Sequence, residues 1–228
     1  MAPYDAVIFD NDGVLTEPTA REPRRWAIKW SLRQMGVDSP TQGDIDSLFA
    51  VSADEVRRVA DRYGLDPSEL LKRREMNTAA VQYGMLRNGR KPLYDDVNTL
   101  CDISIPIGIV SNNQHRTIEH IVELFGLDQF VDSFYGRSPT LEGIEYRKPN
   151  PTYLQRSIVD LDARRPLYVG DSNVDLVAAE RACVDSVFLR REHRSDYELT
   201  CDPTYEVTEL PDVLSLVETD APTPVSKH

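Results

Sequence analysis

The chain has 228 residues, which is enough for one large domain or for a domain that carries an inserted lobe. Its 38 acidic and 26 basic side chains give a net charge of −12, which argues against nonspecific binding to nucleic acid or to anionic membranes. No stretch reaches the roughly 18 apolar residues of a membrane-spanning helix, and residues 1–5 lack a basic segment followed by an apolar one. We therefore expect a soluble cytoplasmic protein.

The first predicted element is the apolar run 6–9, which ends in Asp10-Asn11-Asp12-Gly13. The run has the length of a buried strand, and parallel sheets place their chemistry at the carboxyl ends of their strands. Two carboxylates one residue apart at such a point indicate a reaction centre. The alternative is a simple turn, because Asp bonds its own backbone and Gly supplies a positive φ.

The next segment, residues 17–91, has helix signals and no convincing strand. Residues 52–55 fit a capping box, and Asp66-Pro67 is an N-cap followed by proline at the first helical position. Gly84 is expected to close this second helix. The first helix has an apolar face formed by Val56, Val59, Ala60 and Tyr63. We expect a helical lobe inserted above the strand ends.

Three more apolar runs of strand type follow, at residues 105–110, 167–169 and 186–189. A helix lies after the first of them. Its apolar residues are Ile118, Ile121, Val122 and Phe125, with Gly126 as the expected C-terminal cap. Alternation of strands and helices predicts an α/β fold with a doubly wound parallel sheet. We expect a Rossmann-like core of residues 1–16 and 92–218, a helical cap of residues 17–91, and a disordered tail of residues 219–228.

A second pair of carboxylates, Asp171 and Asp175, follows the run 167–169. If its strand lies beside the first, these groups meet Asp10 and Asp12 in a small volume, where like charges cannot all stay ionised without a cation. Oxygen-only ligands favour a hard ion such as Mg²⁺. For Asp175 the alternative is a solvated residue in the first turn of a helix, where the dipole stabilises negative charge.

Other residues suit a phosphate group. Ser111-Asn112-Asn113 ends the second strand and precedes a helix, although Ser and Asn are also ordinary N-cap residues. Lys148 is one of few lysines in this chain and supplies a positive charge that could neutralise phosphoryl oxygens. Its alternative is a solvated loop lysine.

The acidic, lysine-poor composition resembles that of proteins from salt-loving organisms, with an ordinary acidic protein as the alternative.

The order Asp10-x-Asp12, Ser111, Lys148 and Gly170-Asp171-x-x-x-Asp175 resembles, motif for motif, the haloacid dehalogenase superfamily of phosphohydrolases. The insertion resembles the helical cap of the subfamily that includes phosphoglycolate phosphatases and β-phosphoglucomutases. This resemblance implies a phosphoric monoester hydrolase that uses Mg²⁺ and an aspartyl-phosphate intermediate. Its expected partner is a small phosphorylated metabolite, either phosphoglycolate-like or a sugar phosphate. The sequence makes no prediction of the oligomeric state.

The resemblance also implies a role for each site residue. Asp10 would be the nucleophile, and Asp12 would be the general acid and then the base. Mg²⁺ would be held by Asp10, by the main-chain carbonyl of Asp12 and by Asp171. Asp175 would contact metal-bound water or orient a neighbour. The phosphoryl oxygens would be held by Ser111, Asn112 and Lys148.

Two alternatives stay open within and beyond this family. A phosphosugar mutase of the β-phosphoglucomutase type is less favoured, because residues 17–30 contain no histidine of the kind such mutases keep in the cap. A noncatalytic binding protein of the same fold is less favoured still, since an unused acidic cluster would be costly. Dehalogenases of the superfamily lack the second aspartate, so Asp12 favours phosphoryl transfer.

Three arginines, Arg21, Arg24 and Arg25, open the cap near its hinge. A guanidinium at this place could pair with a substrate carboxylate. The alternative, a solvated helix face in an arginine-rich chain, is the stronger expectation from sequence.

Overall fold

A computed structural model describes residues 4–218 and contains one parallel sheet of six strands. The strands are β1 (Ala6–Phe9), β2 (Ile107–Gln114), β3 (Ser133–Arg137), β4 (Pro166–Gly170), β5 (Asp185–Leu189) and β6 (Tyr205–Val207). The predicted tail, residues 219–228, lies outside the described residues.

Nine α-helices and three short 3-10 helices accompany the sheet in the described part of the chain. The α-helices are α1 (Arg21–Gln34), α2 (Gln42–Ala50), α3 (Ala53–Tyr63), α4 (Pro67–Arg87), α5 (His115–Phe125), α6 (Leu141–Glu145), α7 (Thr152–Asp160), α8 (Asn173–Ala182) and α9 (Leu210–Glu218). The 3-10 helices span Asp95–Asp102, Leu127–Gln129 and Glu192–Arg194. No helix between residues 4 and 218 is both long and apolar enough to cross a membrane.

The order of the strands is β3-β2-β1-β4-β5-β6, and all neighbours are parallel. The chain adds strands on one side of β1 and then returns to add β4 on the other side. Phe9 pairs with Ile109 of β2 and with Val169 of β4, so β1 and β4 end at about one level, while β2 continues beyond them to Gln114. The predicted doubly wound α/β fold is confirmed, and the site lies where the strand order reverses.

Both faces of β1 are buried, as its uninterrupted apolar sequence requires. Val7 and Phe9 belong to an apolar cluster on one face of the sheet, together with Ile109 and Val169. Ala6 and Ile8 belong to a second cluster on the other face. Successive side chains of a strand point to opposite faces, so this short strand joins the two layers of helices.

The helices α1–α4 lie between β1 and β2 and form the predicted helical cap. Ser52 caps α3 by accepting a hydrogen bond from the Glu55 main-chain N–H at 3.3 Å. Asp66 caps α4 by accepting one from the Glu69 main-chain N–H at 2.8 Å. Both predicted helix starts are confirmed.

The predicted end of α4 at Gly84 is wrong, because the helix continues to Arg87. The next two residues, Met85 and Leu86, are buried. Burial of two large apolar side chains contributes about 3–6 kcal/mol, which exceeds the roughly 1 kcal/mol that an internal glycine costs a helix.

Candidate active site

The carboxyl ends of β1, β2 and β4 bring four predicted site residues together. Asp10 follows β1, Ser111 lies near the end of β2, and Asp171 follows β4, and all three are buried. Asp175 lies one turn into α8 and is also buried, so its alternative as a solvated helix residue is wrong. The register of the sheet therefore gathers groups from three separate sequence segments.

Lys148 is buried at the centre of this group, and its alternative as a solvated loop lysine is also wrong. Its Nζ lies 2.8 Å from Asp10 Oδ1 and 2.6 Å from Asp175 Oδ1. It also donates hydrogen bonds to the Val110 carbonyl at 3.0 Å and to the Tyr168 hydroxyl at 2.8 Å. Burial disfavours the charged amine, but the two carboxylates outweigh this effect and raise the pKa of Lys148 to about 12.

Three carboxylates of this group form a candidate cation site. One oxygen each from Asp10, Asp171 and Asp175 lies within 4.8 Å of the others. Burial raises the pKa of Asp10, Lys148 lowers it, and the other two carboxylates raise it further, so that the net shift is upward. A buried, all-oxygen donor set with excess negative charge fits a hard divalent cation.

Asp171 has two basic neighbours in addition to these carboxylates. His193 Nε2 lies 2.8 Å from Asp171 Oδ2, and Arg194 Nε donates a hydrogen bond to the same oxygen at 2.9 Å. Both residues belong to the 3-10 helix after β5. A cation at Asp171 would compete with these two groups for the same oxygen.

Asp12 lies apart from that cluster, in a hydrogen-bond network that reaches the cap. Its carboxylate forms an ion pair with the Lys91 ammonium, which is fully buried. It also accepts hydrogen bonds from Thr19 Oγ1 at 3.1 Å and from Asn113 Nδ2 at 2.8 Å. Burial alone would raise the pKa of Asp12, but Lys91 and Asn113 outweigh it and lower the pKa to about 2. The carboxylate is therefore ionised in this arrangement.

The Asn112 side chain is hydrogen-bonded to the main chain of Lys148. Its Nδ2 donates a hydrogen bond to the Lys148 carbonyl at 2.9 Å, and its Oδ1 accepts one from the Lys148 N–H at 2.7 Å. The amide thus holds the main chain of the loop that carries Lys148. The hydroxyl of Ser111 accepts a hydrogen bond from the Asn113 main-chain N–H at 3.2 Å.

Two glycines allow the strand ends to approach each other this closely. Gly13 has φ +89°, and a Cβ at this position would lie 2.2 Å from Asp171 Oδ2. A Cβ on Gly170 would lie 2.3 Å from the Cβ of Asp175. Any side chain at either position would displace a carboxylate of the candidate cation site.

A cavity of about 250 Å³ opens beside these residues. The core side chains and the cap side chains both line it. The lining residues are Asp10, Asp12, Pro18, Thr19, Arg24, Ser111, Asn112, Asn113, Asp171 and Arg194. The cavity is smaller than the sites of drug-sized ligands, which are commonly about 300–1,000 Å³, so it suits a small metabolite.

The fold and this site define an α/β protein with a helical insertion and a cluster of buried carboxylates at the carboxyl edge of its parallel sheet. The model of the haloacid dehalogenase-like hydrolase family matches residues 7–189. The chain belongs to that family. The resemblance seen in the sequence motifs is thereby confirmed.

The chain is also similar to individual proteins. It is 30% identical over 128 residues to pyrophosphatase PpaX of Halalkalibacterium halodurans, a match that spans 55% of this chain and 58% of that protein. The crystal structure of CbbY from Rhodobacter sphaeroides with phosphate has a TM-score of 0.70 at 17% identity and covers 95% of this chain and 100% of that one. A haloacid dehalogenase superfamily hydrolase of subfamily IA from Geobacter sulfurreducens has a TM-score of 0.57 at 16% identity. This match covers 95% of this chain and 97% of that one. These two similarities show the fold.

Several residues of the site were not predicted from the sequence. Lys91, Tyr168 and the pair His193-Arg194 all bond to predicted site residues. Only Lys91 had a usable signal in the sequence, since the chain contains so few lysines. The scarcity that drew attention to Lys148 applied to it equally.

Proposed function

We propose that this protein is a Mg²⁺-dependent phosphoric monoester hydrolase that acts on a small phosphorylated metabolite through an aspartyl-phosphate intermediate. The observation that carries the proposal is the contact of Lys148 with both Asp10 and Asp175 inside a cluster of buried carboxylates. A buried ammonium next to a carboxylate nucleophile can neutralise the oxygens of an incoming phosphoryl group.

In the first step Asp10 attacks phosphorus, and the bond from phosphorus to the ester oxygen breaks. Asp12 donates a proton to the departing oxygen. In the second step Asp12 accepts a proton from a water molecule, which attacks the aspartyl-phosphate and releases inorganic phosphate. Lys148 and the hydroxyl of Ser111 hold phosphoryl oxygens in both steps, while Asn112 fixes the loop that carries Lys148.

The residues present fit a magnesium ion. The donors would be Asp10, Asp171 and the main-chain carbonyl of Asp12, with Asp175 contacting a metal-bound water or orienting Lys148. A bound Mg²⁺ would add its positive charge to that of Lys148 and polarise the phosphoryl group. It also offsets the repulsion among carboxylates that raises the pKa of Asp10.

The names of the similar proteins agree with this class of reaction. The curated relative is named a pyrophosphatase, and structures of CbbY contain phosphate or xylulose 1,5-bisphosphate. Pyrophosphate and xylulose 1,5-bisphosphate are both small phosphorylated compounds, and we extend that substrate class to this chain. The cytoplasmic location and the adaptation to salt stay predictions.

We also propose the domain boundaries that the sequence predicts, with a cap of residues 17–91 and a core of residues 1–16 and 92–218. An apolar cluster of its own supports the cap, because residues from α1, α2, α3 and α4 pack together in it. Ile144 of α6 joins this cluster from the core side of the chain. Leu86 of α4 in turn belongs to an apolar cluster of the core, so cap and core share apolar contacts from both sides.

The proposal is tested by release of phosphate from p-nitrophenyl phosphate in Mg²⁺, at low and at high salt. We expect turnover that a chelator abolishes and that Asp10→Asn reduces below detection. Asp61→Asn, an exposed aspartate of α3, is the matched control and should retain full activity. Full activity of Asp10→Asn would contradict its role as the nucleophile. Conversion of a hexose 1-phosphate to its isomer without phosphate release would favour the mutase alternative.

A further inference from the structure

The structure separates the three arginines that open the cap. Arg25 forms an ion pair with Asp46 of α2, and Arg21 is exposed on the outside of α1. Arg24 alone lines the cavity that contains Asp10 and Ser111. The solvated helix face expected for all three therefore does not describe Arg24.

Arg24 forms no hydrogen bond or ion pair with residues 4–218, although the charges of Asp12 and Glu75 act on it at longer range. Its only described contact is with the ring of Phe49, 4.4 Å from the guanidinium carbon, and its Nε is buried without a hydrogen-bond partner. The other arginine of the cavity differs, because Arg194 donates a hydrogen bond to Asp171. Arg24 is half-buried as a whole, but a buried N–H donor such as its Nε is costly to leave without an acceptor unless a ligand supplies one.

Two buried arginines, Arg74 and Arg137, lie in the same region as Arg24. Glu75, a buried acid of α4, is already shared by Arg74 and by Arg137, whose Nε and Nη2 lie 3.1–3.2 Å from its carboxylate oxygens. Nη2 of Arg74 is buried and has no hydrogen-bond partner among the described residues. Burial and the nearby Arg137 lower the pKa of Arg24, and the charges of Asp12 and Glu75 offset this only in part.

We propose that Arg24 forms a subsite for a second anionic group of the substrate, distinct from the phosphoryl group that Asp10 attacks. The proposal rests on the proposed hydrolysis of a phosphate ester. The second group is a carboxylate or a second phosphate, since both accept the two parallel hydrogen bonds of a guanidinium. The cavity of about 250 Å³ restricts the substrate to one in which the two anions are joined by a short link.

The test compares three small phosphate compounds of similar size. These are 2-phosphoglycolate with a carboxylate, pyrophosphate with a second phosphate, and 2-hydroxyethyl phosphate with a neutral hydroxyl. For the unmodified enzyme, kcat/KM should be about 10- to 100-fold higher for at least one doubly anionic compound than for the neutral ester, as for a hydrogen bond to a charged group. A gain for only one of the two anions identifies which group the subsite binds.

Arg24→Met should remove this preference, measured as the ratio of kcat/KM for the doubly anionic compound to kcat/KM for the neutral ester, and Arg24→Lys should restore part of it. Arg25→Met is the matched control on the same helix and should keep the full preference. Equal kcat/KM for all three compounds in the unmodified enzyme, or an unchanged preference in Arg24→Met, would overturn the subsite.

Binding distinguishes failure of the subsite from failure of the proposed function. Calorimetric titration of the Asp10→Asn protein with each compound measures the subsite without turnover. If none of the three compounds is hydrolysed but Arg24→Met still weakens binding of a doubly anionic compound by at least about tenfold, the subsite stands and the hydrolase proposal fails. Hydrolysis and binding that are both independent of Arg24 leave the hydrolase proposal intact and refute the subsite.

Discussion

Replacement of Glu75 by Gln should destabilise the protein, because this carboxylate joins the cap to the core. Glu75 lies on α4 and is shared by two arginines, Arg74 of the same helix and Arg137 of β3. All three side chains are almost inaccessible to solvent, with relative exposures of 3%, 0% and 4%. Glutamine keeps the size of the side chain and removes its charge.

The expected loss follows from the two ion pairs. Each contributes about 4 kcal/mol of attraction at an effective dielectric of about 20, but desolvation of the three charges offsets most of this. Removal of one partner leaves the others buried and unpaired, which typically costs about 3–5 kcal/mol. We expect a decrease of that size in the free energy of unfolding of Glu75→Gln at pH 7.

Urea unfolding followed by circular dichroism measures this change. Glu69→Gln is the matched control on the same helix, because its ion pair with Arg73 is exposed and should contribute less than about 1 kcal/mol. Burial raises the pKa of Glu75, but the two arginines outweigh it and lower the pKa, so the stabilisation is complete above about pH 4–5 and disappears at lower pH. A loss below about 1 kcal/mol at pH 7, or one that grows as the pH falls, would refute the reasoning.

Two further predictions concern the active site. Lys91→Met should raise the pKa of Asp12, because burial then acts with less opposition, and the acidic limb of the pH profile for hydrolysis of the aspartyl-phosphate, the step in which Asp12 is the base, should move up by about one unit or more. Lys72→Met, an exposed change, should leave the profile in place, and an unmoved limb in Lys91→Met would contradict the assignment. Gly13→Ala should raise the Mg²⁺ concentration for half-maximal turnover by about tenfold or more, because its Cβ would overlap Asp171; an unchanged value would argue against Asp171 as a ligand.

The central strands could be predicted from sequence because they are buried on both faces and therefore apolar throughout. The two strands that were not predicted, β3 and β6, lie at the edges of the sheet. β3 has only partly buried Phe134 and Tyr135 and ends in Gly136-Arg137, while β6 has three residues. Edge strands carry a weaker apolar pattern because one side of each lacks a neighbour, so the sequence signal is lost.

The residues of the candidate site likewise fall into those that the sequence could place and those that it could not. Residues that directly follow a buried strand, such as Asp10 and Asp171, could be placed because parallel strands end at one edge. Lys91 could not be placed in the site from the sequence, because its contact with Asp12 depends on how the chain returns from α4 to the sheet. The two residues are 79 positions apart in the sequence. Arg24 could not be separated from Arg25 without knowledge of which side of α1 faces the cavity. Contacts that depend on packing between cap and core have no local pattern.

The environment of Asp12 links these cap contacts to the proposed chemistry. A general acid must hold a proton, whereas the contacts with Lys91 and Asn113 lower the pKa of Asp12 to about 2 and keep it ionised. This arrangement suits the second step, in which Asp12 accepts a proton from water. Thr19 and Lys91, which both bond to Asp12, lie at the two ends of the helical insertion. Displacement of the cap would therefore change both contacts of Asp12 at once. Proton donation by Asp12 in the first step requires its ion pair with Lys91 to be broken.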